Sequence, residues 1–153
     1  MFTGEGKRRS IIAAWTVIAV TASFITAMVS RKQASLTLIP ASLGIFTIVA
    51  MMIGSMEEFL FRGWMFSQFR GSWQWPAVLI TALAHAAYKA LLFTSVYLPY
   101  EVNKWDLFLV TFEAGIFLGI TRLFSRSVWP ALIAHAIFDL LIYGDQSVPW
   151  WIF

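Results

Sequence analysis

The chain has 153 residues, 59% of them hydrophobic and only 12% charged, with a mean hydropathy of +0.74. A soluble domain carries roughly a quarter charged residues, so the composition describes one integral-membrane domain over residues 1–153. The net charge of +3 resides in Lys and Arg at segment ends, with no basic patch interleaved with aromatics, which argues against a nucleic-acid partner. The absence of cysteine removes disulfides, thiolate metal sites and a Cys nucleophile.

In chain order, Lys7, Arg8 and Arg9 precede an apolar run from Ile11 to Val29. That run is longer than the core of a signal peptide and no A-x-A site closes it, so residues 11–30 are expected as an uncleaved first transmembrane helix. Further spans are expected over about 36–55, 76–98, 105–124 and 128–143, which makes an all-α polytopic membrane helix bundle of about five transmembrane helices. Pro76 and Pro130 fall in helix first turns, where proline is tolerated. Trp73, Trp75, Trp105, Trp129, Trp150 and Trp151 sit at segment edges, as an interfacial aromatic belt does.

A continuous helix over residues 36–69 would run about 50 Å against roughly 30 Å of hydrocarbon. A bend is therefore expected at Glu57 and Glu58. The part carrying Phe59, Phe61, Trp64, Phe66 and Phe69 is expected as an interfacial or re-entrant helix after the second span. With the N-terminus cytoplasmic, Lys7, Arg8, Arg9, Arg62, Arg70, Arg122 and Arg126 lie inside, seven of the eleven basic residues, and Arg31, Lys32 and Lys104 lie outside.

Ionisable groups within membrane segments cost about 2.5–3.5 kcal/mol each even on lenient scales, so their positions carry information. Away from segment ends they are Glu57, Glu58, Arg62, His85, Lys89, Glu113, His135 and Asp139. Glu58 and Arg62 are spaced i, i+4 and can pair on one helix face, which leaves Glu57 turned about 100° away. A carboxylate in a partly dry site suits a general base; the bland alternative is an ion pair that only caps a helix end. His85 and His135 lie at roughly matched depth, 10–14 Å below the same membrane face, and Asp139 shares the face of His135. Each histidine alone could equally bridge helices; together with the two glutamates they converge as a site. Lys89 and Glu113 are expected to pair across the bundle as a structural ion pair, with an accessory role in substrate binding or gating as the alternative. Gly115 and Gly119 form a G-x-x-x-G that permits close helix approach.

EEFLFR at residues 57–62 matches the E-E-x-x-x-R signature of the CPBP family, the CAAX protease and bacteriocin-processing (Abi) intramembrane enzymes. ITALAH at 80–85 and HAIFD at 135–139 follow in the family's order, so the chain resembles that family over about residues 40–143. The resemblance implies a glutamic-type intramembrane endopeptidase in which Glu57 and His85 activate water. His135 and Asp139 would stabilise the oxyanion, and Glu58 with Arg62 would hold the site's shape. Two positions depart from the pattern. Thr81 stands where the family usually has Phe, and Asp139 stands where it commonly has Asn; an Asp donates a hydrogen bond only when protonated, and otherwise would orient His135.

No cofactor is expected. A zinc ion, were one held, would fall to Glu57, His85 and His135, but there is no H-E-x-x-H. The expected partners are the lipid bilayer and a membrane-anchored peptide or protein: a prenylated C-terminus, a bacteriocin or signal peptide, or a C-terminal sorting tail. The expected location is a prokaryotic plasma membrane. Two other readings use the same residues: a non-hydrolytic binding or immunity protein, and a small proton-coupled transporter, which the lack of an inverted repeat disfavours.

Overall fold

The computed structural model describes residues 4–95 and 103–145, and these form an all-helical bundle. Helix α1 spans Gly4–Gln33, α2 Ile45–Glu58, α3 Gln74–Ser95, α4 Lys104–Ser125 and α5 Trp129–Tyr143. Three helical stretches, Gly4–Gln33, Gly71–Phe93 and Lys104–Ser125, are long and apolar enough to cross a membrane, and α5 is a shorter apolar helix. Trp150, Trp151 and the expected end of the third span at 96–98 lie outside the described residues.

The second element departs from expectation. Residues 34–44 stay non-helical, so the helix begins only at Ile45. The backbone passes through Glu58 and Phe59 in ordinary helical geometry and continues as a π-wound segment, Phe59–Met65. A late start and wider winding bring residues 45–67 to roughly 30 Å. Of the aromatics expected along the boundary, Phe61 and Phe66 are buried, whereas Phe59 and Trp64 are exposed.

The helices pack as two groups. Helix α5 lies against α1 and α2, and α3 lies against α4. Gly119 brings Val78 close, and Gly115 brings Ala82 and the Arg62 guanidinium close, so the G-x-x-x-G does set the α3–α4 approach. Between α2 and α3 the backbones meet sparsely, and side chains bridge that seam.

The ends are fastened individually. Asn103 caps α4, accepting from the NH groups of Trp105 and Asp106. Arg126 closes it in the left-handed conformation, φ 53°. Arg31, read from sequence as an outer-end topology charge, is instead buried. It donates to the carbonyls of Thr37 (2.6 Å) and Leu141 (2.6 Å) and pairs with Asp145 at 3.0 Å. Asp145 in turn accepts from Ser42 NH at 2.6 Å. This clamp ties the C-terminus of α1, the 34–44 loop and the last turn of α5 together. Thr47 adds a bond from α2 to the Tyr143 carbonyl at 2.8 Å.

Candidate active site

Glu57 and Glu58 occupy the last turn of α2, which directs them at different neighbours because successive residues lie about 100° apart. Glu58 Oε1 accepts from Arg62 Nη1 at 3.0 Å and from His135 Nδ1 at 2.9 Å. The i, i+4 pair expected from sequence is therefore formed, with both partners fully buried. Arg62, counted as a cytoplasmic charge from sequence, lies in the interior.

Glu57 is not left free. Its Oε2 stands 3.2 Å from His85 Nε2, and its Oε1 stands 2.7 Å from Lys89 Nζ. Lys89 thus crosses the seam to Glu57 rather than to Glu113, which is exposed on α4 and outside the cluster. The expected Lys89–Glu113 pair is replaced for a geometric reason. Lys89 lies one turn beyond His85 on the α3 face that looks at α2, and Glu113 points off the opposite group.

The donors assign the protons. Arg62 Nη1 lies 2.8 Å from His85 Nδ1, and a guanidinium only donates. Nδ1 must then accept, so the proton of His85 sits on Nε2 and points at Glu57. Phe61 stacks on the same imidazole, centroids 4.7 Å apart, and fixes its plane. His135 gives its Nδ1 proton to Glu58, which leaves Nε2 facing Asp139 Oδ2 at 3.7 Å. The two imidazole centroids are 6.3 Å apart. Every residue singled out from sequence except Glu113 comes together here.

Sequence reasoning missed two contributors. Gly54 lies against His135 and Asp139: a Cβ there would collide with the Asp139 carboxylate and come within 3.0 Å of His135 Nε2. The signal was a glycine one turn before the E-E pair on an otherwise apolar helix. Phe61 was read as a boundary aromatic, because its stacking partner lies on another helix.

A zinc ion does not suit this donor set. His85 presents Nδ1 to Arg62 and a proton-bearing Nε2 to Glu57, and His135 presents Nδ1 to Glu58, so Glu57, His85 and His135 do not aim three lone pairs at one point. Among the described residues, no group of three or more His, Asp or Glu side chains is arranged to hold a metal ion.

Buried acids and imidazoles thus face one another inside an apolar helical bundle, an arrangement that membrane-embedded hydrolases and proton-coupled transporters can both use. The family comparison makes this specific. The family model for Type II CAAX prenyl endopeptidase Rce1-like proteins matches residues 39–141, and the chain belongs to that family. The matched range contains all the clustered residues and nearly coincides with the 40–143 stretch identified from motifs. No curated protein and no solved structure matches the chain significantly.

Proposed function

We propose that this protein is a glutamic-type intramembrane endopeptidase, in which Glu57 and His85 activate water for attack on a peptide bond of a membrane-associated substrate. The observation that carries the reading is the Glu57–His85 pair itself, 3.2 Å apart and buried between α2 and α3, with the imidazole held in one tautomer by Arg62. A water at Glu57 gives its proton to the carboxylate as its oxygen bonds to the carbonyl carbon. The carbonyl π pair moves onto oxygen. Collapse of that tetrahedral species breaks the C–N bond, and Glu57 returns the proton to the departing amine.

Each second residue of this site has work that follows from its contacts. Arg62 and Glu58 hold the two imidazoles in register. His135 reaches an oxyanion through Nε2 when the ring carries both protons, a form favoured by Glu58 on one side and Asp139 on the other. Membership of the CAAX prenyl endopeptidase family supports prenylated C-termini as a first substrate class; bacteriocin or signal peptides and sorting tails are the alternatives. We propose a cytoplasmic N-terminus on the distribution of Lys and Arg, and a prokaryotic plasma membrane as the location. The mechanism needs no metal.

The test is cleavage of a fluorogenic farnesylated CAAX peptide by the protein in lipid nanodiscs. Glu57→Gln and His85→Ala should each lower the rate by about a thousandfold with helical content retained. Cleavage that persists in both variants sinks the mechanism, and loss on chelation with recovery on added zinc replaces it with a metal-dependent one.

A further inference from the structure

Resting on that reading, we infer that Lys89 is a further catalytic residue, whose ammonium leaves Glu57 to hydrogen-bond the oxyanion, alongside His135, as the water attacks. Three observations carry it. Lys89 Nζ contacts the very carboxylate that takes the proton, at 2.7 Å from Glu57 Oε1. Its side chain is 22% exposed where those of Glu57 and His85 are 5% and 4%, so it stands on the outer side of the pair, where an incoming peptide meets it first. It also lies one helical turn beyond His85 on α3, so its stem leaves the same helix face.

The donors on the Lys89 side of the site are buried or already engaged, and His135 Nε2 approaches from α5. Arg62 is fully buried, with Nη1 given to Glu58 and His85; its Nε and Nη2 have no partner among the described residues but are buried as well. The Nε2 proton of His85 goes to Glu57, and the Nδ1 proton of His135 goes to Glu58. Lys89 has three N–H donors on a flexible four-carbon stem.

The transfer has a chemical consequence. An ammonium on Glu57 weakens it as a base; moving that ammonium to the carbonyl oxygen frees the base and stabilises the developing charge in one motion. As the water oxygen bonds to carbon, the C=O π pair becomes the oxyanion that Lys89 solvates, and the water proton goes to Glu57. When the C–N pair departs with the amine, Glu57 supplies the amine's proton. The base is then at full strength only when a carbonyl is present to draw the ammonium away.

Two measurements test this. With the farnesylated CAAX peptide, Lys89→Met should lower kcat about a hundredfold with KM changed less than about twofold, and Lys89→Arg should keep at least about a tenth of wild-type kcat. A Lys89→Met kcat at or above wild type overturns the inference, as does a loss confined to KM. Independently of turnover, acetic anhydride labelling read by mass spectrometry should modify Lys89 several-fold faster in Glu57→Gln than in wild type. Equal labelling rates overturn the pair whether or not the peptide is cut. An intact peptide with wild-type Lys89 protected counts against the endopeptidase reading and not against the pair.

Discussion

Arg62 donates to Nδ1 of His85 across 2.8 Å, and that one contact decides which nitrogen of the histidine faces Glu57. The same Nη1 also serves Glu58 at 3.0 Å, so a single guanidinium nitrogen couples the structural carboxylate to the catalytic imidazole. Lysine cannot reproduce that geometry, because its ammonium is a point charge on a differently shaped stem. Arg62→Lys should therefore keep the bundle folded and lower kcat by roughly one to two orders of magnitude in the peptide assay. Arg62→Met strands a fully buried Glu58 carboxylate and should cost about 3–5 kcal/mol, read as a lower thermal unfolding midpoint in detergent.

Gly54 is the second point of leverage. Any Cβ at this position meets the Asp139 carboxylate and the edge of His135, so α5 must shift away from α2 or those side chains must leave their rotamers. Gly54→Ala should remove at least about 90% of activity and lower the unfolding midpoint, whereas alanine in an exposed helix interior ordinarily stabilises relative to glycine. A Gly54→Ala protein of normal activity would show that the approach of His135 and Asp139 to α2 is not required.

Asp139 separates two roles by its amide. If it orients or charges His135, whose Nε2 it faces at 3.7 Å, then Asp139→Asn should lose activity nearly as far as Asp139→Ala. If it donates to the oxyanion, Asn supplies an N–H and Asp139→Asn should match or exceed wild type. The acid–imidazole distance favours the orienting role, and we expect both variants to fall by at least about tenfold in kcat.

Arg31, near the end of α1, fixes where α5 ends. It donates to the Leu141 carbonyl, two residues past Asp139, and pairs with Asp145. Arg31→Met leaves buried carbonyl acceptors without a donor, at about 1–3 kcal/mol each. The expected result is a lowered unfolding midpoint, with kcat per folded molecule changed far less than in Arg62→Lys.

Much of the site could be read from spacing along single helices. Glu58 to Arg62 and His135 to Asp139 are one turn apart, and one turn of helix fixes a shared face whatever the fold. Lys89 shows where such reading stops. Its register with His85 was visible, but its partner was assigned to Glu113 because both lie at similar depth on neighbouring helices. Depth follows from residue count, whereas the direction a helix face points depends on its rotation against its neighbours, which α3 takes from packing Val78 and Ala82 on Gly119 and Gly115. The course of residues 34–67 was misread similarly. Apolarity alone extended the helix back to residue 36 and demanded a bend, whereas a loop held by Arg31 and Asp145 and a π-wound turn after Glu58 solved the length by other means.

The sequence by itself determined the environment and the chemistry. Fifty-nine per cent hydrophobic residues with eight acids in 153 positions point to a lipid-embedded helical bundle, and the order of EEFLFR, ITALAH and HAIFD marks the groups proposed to react. Only the tertiary structure decided who faces whom: Arg62 on His85, Lys89 on Glu57, His135 on Glu58, and Gly54 making room for Asp139. The reason is that helical periodicity fixes angles within one element, while proton positions and ion pairing depend on distances of about 3 Å between elements, and those are set by how small residues let the helices close upon one another.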